Sequence, residues 1–225
     1  CGLFGELSRD CIVWYIRLLG GLDIRRESHP SLNLPSRKAG ALLTVLVRYP
    51  GKKYAREQLA AMLWPDSQHT SARGSLRQTL KQLRQLFSVP GEEAIVVESE
   101  NLTIDPSLFE IDAVRFGELV ERATRADLED AAALYQGDFL AGFADPTEPF
   151  AEWATFERMH LRERFVTVLE HLLHGGLSDD QSSRALQRVV SLLSQDSLDE
   201  RLHRILMELY LEHGHRSAAL MQYRS

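Results

Sequence analysis

The stretch Gln68–Phe87, QHTSARGSLRQTLKQLRQLF, contains no acidic side chain and constrains this chain more than any other. Wound at 3.6 residues per turn, it places Ala72, Leu76, Leu80, Leu83 and Phe87 on one stripe. Arg73, Arg77, Lys81 and Arg84 fall on a second stripe beside it, and Ser71, Gln78, Gln82 and Gln85 occupy a third face. A helix with one apolar seam and a basic, amide-bearing front suits the major groove of DNA. There Arg and Lys reach phosphate or guanine, and Gln can pair with adenine. In isolation an ordinary amphipathic helix with a solvated basic face would read the same way. The flanking sequence has to decide.

The chain is long enough for one large domain or two ordinary ones. With 44% hydrophobic and 26% charged residues it has the composition of a soluble globular protein. No apolar run approaches the length of a membrane span. The N-terminus, CGLFGELSRDCIVWY, lacks the basic start and long apolar core of a secretory signal, so the expected location is the reducing cytoplasm. Cys1 and Cys11 are too few for a disulfide framework and do not match zinc-ligand spacing. The net charge of −6 argues against a nucleic-acid partner until it is divided along the chain. Residues 1–110 carry 14 Lys+Arg and 12 Asp+Glu, a net of +2, whereas residues 111–225 carry 12 and 20, a net of −8. Local field decides what a surface attracts, so the first half remains compatible with phosphate.

Tyr15–Leu19 and Leu22–Arg26 are short β-prone runs broken by Gly20-Gly21, and Ser31–Leu34 could add a third strand. Pro35-Ser36 supplies a turn and an N-cap for Arg37–Arg48, whose Ala39, Leu42, Leu43, Leu46 and Val47 form an apolar face. Tyr49-Pro50-Gly51 stops that helix. A short helix opens at Ala55 or Arg56 and runs through Trp64, and Pro65-Asp66-Ser67 connects it to the basic helix. After Pro90-Gly91, Ala94–Val97 and Leu102–Ile104 read as a hairpin around Glu98–Asn101. Strands, three helices and a hairpin in this order predict a winged helix-turn-helix, with the hairpin as the wing.

From Ile111 onward the pattern is helical: Asp112–Thr124, Ala126–Tyr135, Pro149–Leu173, Gln181–Leu193, Leu198–His213 and Arg216–Tyr223. Glu200–Tyr223 follows the tetratricopeptide pattern, and such repeats bury their faces only by stacking. Leu134–Phe150, with Gly137, Gly142, Pro146 and Pro149, is too irregular for a helix and reads as a turn between helical hairpins. The chain opens on Cys1 rather than Met and stops at Ser225 inside the second helix of a pair, so we expect a piece of a longer protein. The expected fold is therefore mainly α with small β elements. An N-terminal segment of unclear role (1–14) precedes a winged-helix DNA-binding domain (15–110) and an all-α tetratricopeptide-like domain (111–225).

Several blocks, in order, carry a family resemblance. RLLGGLDIR (Arg17–Arg25), LPSRKAGALLTVLVRYPG (Leu34–Gly51), REQLAAMLWPDS (Arg56–Ser67) and ARGSLRQTLKQLRQLF resemble the DNA-binding domain of Streptomyces antibiotic regulatory protein (SARP) type regulators. LYQGDFLAGFADPTEPFAEWATFERMHLRERF (Leu134–Phe165) resembles the bacterial transcriptional activator domain that follows it in that family. The resemblance covers roughly residues 15–225. It implies a winged helix of the response-regulator output type, binding to direct repeats in promoters, and recruitment of RNA polymerase. Ser197 departs from the family pattern, which commonly has Pro there, and no receiver, nucleotide-binding or kinase module is visible.

Catalysis finds little support. Gly51-Lys52-Lys53 lacks the rest of a P-loop, and no Gly-x-Ser-x-Gly elbow occurs. His171/His174 and His213/His215 each lack an evident third and fourth ligand, so no metal, cofactor or enzymatic activity is expected. Trp64 and Trp153, the latter with Phe150 and Phe156 nearby, read as core, and Trp14 has no reading. Asn101-Leu102-Thr103 matches a glycosylation sequon, but without a secretory signal Asn101 reads as a hairpin-tip residue. The expected DNA-binding set is Thr70, Arg73, Arg77, Gln78, Lys81, Arg84 and Asn101. Arg77, Gln78 and Lys81 are the first choices for base edges, with Arg73, Arg84 and the hairpin tip on the backbone. By resemblance, the connector with Asp66 and Gln68 is a candidate RNA polymerase contact. Otherwise Asp66 or Ser67 simply caps the helix. Double-stranded promoter DNA and RNA polymerase are the expected partners, a homodimer on DNA is left open, and no membrane is involved. The competing reading is an interaction scaffold whose winged helix no longer binds DNA.

Overall fold

In a computed structural model describing residues 14–26, 29–88, 92–194 and 197–224, the first part of the chain runs as follows. Strands β1 (Trp14–Arg17) and β2 (Asp23–Arg26) precede helix α1 (Arg37–Arg48), strand β3 (Tyr54–Ala55) and helices α2 (Arg56–Leu63) and α3 (His69–Leu86). Strands β4 (Ile95–Glu98), β5 (Asn101–Ile104) and β6 (Phe109–Ile111) follow. They form two three-stranded sheets, ordered β2-β1-β6 and β3-β5-β4. Contacts divide the chain into two units: residues up to Ile16 with Asp23–Glu110, and Arg17–Leu22 with Ile111 onward.

Ser36 caps α1 as its place before an apolar run predicts, its side chain accepting from Ala39 N at 3.1 Å. The helix is more deeply sunk than its apolar face suggested: every residue from Ala39 to Arg48 is buried. Thr44 satisfies its hydroxyl inside the helix, donating to Gly40 O at 2.9 Å. Trp14 is the first residue of β1, so the segment of unclear role ends before it; residues 1–13 lie outside the described part. Its indole is buried and meets Phe87 edge-on at 5.0 Å, and Phe87 meets Phe109 at 5.5 Å.

Two expectations about strands are corrected. Ser31–Leu34 is not a strand. Pro30 and Pro35 bracket it, removing donors and restricting the residues before them, and Leu32 N→Ile24 O is its one backbone bond to β2. The third strand comes instead from Phe109–Ile111. The hairpin turn is Ser99-Glu100, with Ser99 at φ +53°, so Asn101 is not at the tip. Asn101 begins the central strand, opposite Glu98 on one side and Ala55 on the other.

The second unit contains α4 (Asp112–Arg122), α5 (Arg125–Leu134), α6 (Glu148–His174), α7 (Asp179–Leu193), α8 (Glu200–Glu212) and α9 (Arg216–Arg224). Helix α4 packs on α5, α5 on α6, α7 on α8 and α8 on α9, and α6 packs against α8 rather than against α7. Arg201 on α8 spans that packing: Nε and Nη2 donate to Glu170 at 3.0 and 2.7 Å, and Nη1 pairs with Glu163. The Arg201 hydrogen bonds hold the Glu170 carboxyl below the usual range.

The irregular connector after α5 is held by ring stacking and by buried side-chain hydrogen bonds. Tyr135 stacks on Phe165 at 4.1 Å and donates to Asp138 Oδ1 at 2.9 Å, while Arg162 pairs with the same buried carboxylate. Trp153 meets the buried rings of Phe139 and Phe150 at 5.9 and 5.4 Å but is itself half-buried rather than core, and Phe156 points to solvent rather than joining them. Arg17–Leu22 belongs to this same packing. Leu140 N donates to Leu18 O at 2.8 Å and Gly20 N to Asp138 O at 3.0 Å. A Cβ on Gly137 would lie 3.1 Å from Gly20 Cα, a closeness that explains glycine on both sides. Asp112, at the start of α4, accepts from Leu18 N at 2.7 Å, Leu19 N at 2.9 Å and Ala113 N at 2.6 Å. Burial pushes its carboxyl up to about 6, outweighing those three donors.

The fold is mainly α with small β elements: a winged helix-turn-helix followed by an all-α tetratricopeptide-like domain. Among the described residues no helix is long and apolar enough to cross a membrane.

Candidate nucleic-acid interface

The apolar stripe of α3 is what seats it. Ala72, Leu76, Leu80, Leu83 and Phe87 are all buried, and Thr79 joins them by donating its hydroxyl to Ser75 O at 3.0 Å. With that seam inward, the periodicity turns Thr70, Arg73, Arg77, Gln78, Lys81 and Arg84 outward, and all six are exposed. Asn101 is half-buried in β5 and is not on this face.

The four cations of α3 differ in a way their spacing does not reveal. Arg73 Nη2 lies 2.8 Å from Glu100 Oε2 in the hairpin turn, and Arg84 Nη2 lies 2.7 Å from Glu93 Oε1 just before β4. Arg77 and Lys81, between them, make no ion pair or side-chain hydrogen bond among the described residues. At the start of the helix His69 Nε2 lies 3.0 Å from Glu57 Oε1, and beside the hairpin Lys53 pairs with Glu98. The stretch itself has no acid, yet the fold brings three carboxylates to it. Such exposed pairs contribute roughly 0.2–1 kcal/mol each, so an incoming phosphate can displace them.

The connector between α2 and α3 is short and tied. Trp64 N donates to Ala60 O at 2.9 Å and Ser67 N to Trp64 O at 3.2 Å. Trp64 is half-buried rather than core, with Lys38 Nζ 5.1 Å from its ring centroid. The capping expectation for Asp66 or Ser67 does not hold. Gln68 is the N-cap residue and no side chain caps the helix, because the connector's turn carries Asp66 and Ser67 out to solvent two residues and one residue too early. Among the described residues there is no cluster of three or more His, Cys, Asp or Glu able to hold a metal. His174 Nδ1 and His213 Nδ1 lie instead against the carbonyls of Glu170 and Leu209.

A winged helix-turn-helix joined in one chain to stacked helical hairpins defines the architecture. Residues 111–225, just over half the chain, match the family model for the bacterial transcriptional activator domain, and the chain belongs to that family. A solved structure of Mycobacterium tuberculosis EmbR in complex with a low-affinity phosphopeptide is similar in fold, with a TM-score of 0.66 at 19% identity. The similarity covers 95% of this chain and 58% of that one. A comparison with curated protein sequences found no match.

Proposed function

We propose that this protein is a sequence-specific DNA-binding transcription activator of the SARP type, with α3 as the helix that enters the major groove. The observation that carries the reading is the outward face of α3. It is free of acids in its own sequence, and Arg77, Gln78 and Lys81 stand exposed at its centre with no competing partner among the described residues. In this reading Arg77, Gln78 and Lys81 reach base edges, and Thr70, Arg73 and Arg84 follow the phosphates. Asn101, set back in β5, contributes to the wing's framework. DNA binding resides in residues 15–110, and residues 111–225 form the activator domain. The activator binds promoter direct repeats, as a homodimer where two repeats are filled, and recruits RNA polymerase. Its outcome is regulation in the cytoplasm rather than catalysis.

The test is selection of bound sequences from a randomised duplex library, followed by salt-dependent mobility shift on the enriched sequence. Enrichment of a repeated motif, with affinity falling steeply as salt rises, is expected. Failure of the folded protein to enrich any motif would favour the scaffold reading. That reading draws on one observation, the acids that pair with Arg73 and Arg84.

A further inference from the structure

We propose that Glu100 and Glu93 restrain the DNA affinity of α3 by holding Arg73 and Arg84 in intramolecular ion pairs that phosphate has to displace; this rests on the DNA-binding reading above. The two acids are presented from anchored backbone. Glu100 O accepts from Arg56 N at 2.8 Å, and the residue after it is paired on both sides in the β3-β5-β4 sheet. Glu93 precedes Ala94, whose carbonyl accepts from Asp105 N at 3.1 Å. Neither carboxylate lies on α3, so neither follows its arginine toward DNA.

The arrangement divides α3 into occupied ends and an open middle. Arg73 and Arg84 are about 16 Å apart along the axis at 1.5 Å per residue, and Arg77 and Lys81 lie between them. When DNA arrives, Arg77 and Lys81 engage it at no internal cost. Arg73 and Arg84 have first to leave a carboxylate, which then faces phosphate well within a Debye length of about 8–10 Å. Because each of these arginines is already neutralised, its exchange from carboxylate to phosphate releases less counterion than a free cation would. The carboxylates therefore lower both the affinity and the steepness of its salt dependence.

The experiment uses the full chain, a fluorescein-labelled random-sequence duplex and anisotropy titrations between about 50 and 200 mM salt. Glu100→Gln and Glu93→Gln are each expected to tighten binding about two- to fivefold at low salt. Each is also expected to steepen the plot of log affinity against log salt by up to about one unit. In an Arg73→Ala background the ion-pair part of the Glu100→Gln gain should be lost and only the relief of carboxylate–phosphate repulsion should remain, so the gain should be smaller there than in the wild type, as a coupled pair requires. Glu118→Gln, whose carboxylate pairs with Arg115 on α4, should change nothing. If the wild type binds and both Gln variants share its affinity and slope, the restraint is refuted and the DNA-binding reading stands. Weaker binding by the Gln variants also refutes it, and makes the acids positioning groups. A folded wild type that binds no duplex at the lowest salt removes the DNA-binding reading and this inference with it.

Discussion

At the scale of single residues, the four cations of α3 are not equivalent, and their difference is set by neighbours rather than by spacing. Arg77 and Lys81 have no partner among the described residues, so Arg77→Ala with Lys81→Ala removes two charges that cost the fold nothing. The double variant should keep its thermal midpoint, bind DNA more weakly, and show a salt slope flatter by about two units, read in a mobility-shift titration. Asp112 is the opposite kind of residue, a carboxylate whose purpose is internal. Replacing it with Ala leaves the amides of Leu18, Leu19 and Ala113 without their acceptor and should cost about 1–3 kcal/mol in a denaturant titration. Its carboxyl titrates at about 6 in the fold, above the ordinary 3.8. The folded state thus binds the extra proton between those values, and this group's contribution to stability is full below about 4 and lost as pH rises through 6. The loss of stability from pH 4 to 7 should therefore be smaller in Asp112→Asn than in the wild type; an equal loss would show that the carboxyl is not the titrating group.

At the scale of elements, the α2–connector–α3 unit is held from behind by packing and from the side by the sheet. β3 contributes only Tyr54 and Ala55, yet through its pairing with β5 it ties the start of α2 to the hairpin. The connector itself carries exposed side chains on a turn that the backbone bonds of Trp64 and Ser67 already close. Asp66 and Gln68 therefore contribute little to stability, and no side-chain cap is lost on replacing either. Asp66→Ala and Gln68→Ala should melt like the wild type and bind DNA with unchanged affinity. If this connector contacts RNA polymerase, both should lower transcription in a purified system at saturating DNA occupancy. Full activation by both variants would move the polymerase contact elsewhere, with the acidic helical domain as the next candidate.

At the scale of the whole molecule, the chain does not change units at one point. Arg17–Leu22 leaves the β1–β2 region to pack with α4 and the loop after α5, and returns at Asp23. A cut at residue 110 therefore separates six residues from the unit they stabilise. A fragment of residues 14–110 should fold and bind DNA alone, and one of residues 111–225 should not bind. The second fragment should also melt below its counterpart in the full chain, because Leu18 and Leu19 no longer donate to Asp112 and Leu18 no longer accepts from Leu140. Calorimetry on the fragment and the full chain measures that difference. Specific DNA binding by residues 111–225 would overturn the division of function.

The helices were legible because they depend on local pattern: a 3.6-residue period of Leu and Ala, with Ser36 as a cap, puts α1 and α3 within a residue or so of where they form. The seam of α3 and its basic front follow from the same geometry, as do the six helices after Ile111. What the sequence could not decide is non-local. Ser31–Leu34 has the composition of a strand but a proline on either side, and it makes a single bond to the β2 edge, whereas Phe109–Ile111, far along the chain, finds β1. The sequence puts Asn101 at the hairpin tip because β propensity does not specify a two-residue turn; pairing with Glu98 and Ala55 does. Trp14 is intelligible only once Phe87 lies 5.0 Å from it. The ion pairs at Arg73 and Arg84 bridge 27 and 9 residues, and the amide cradle around Asp112 spans more than 90. A side chain's partner at such separations is set by how sheets and helices close in three dimensions, so charge on α3 was determined by sequence, and its availability by the tertiary structure.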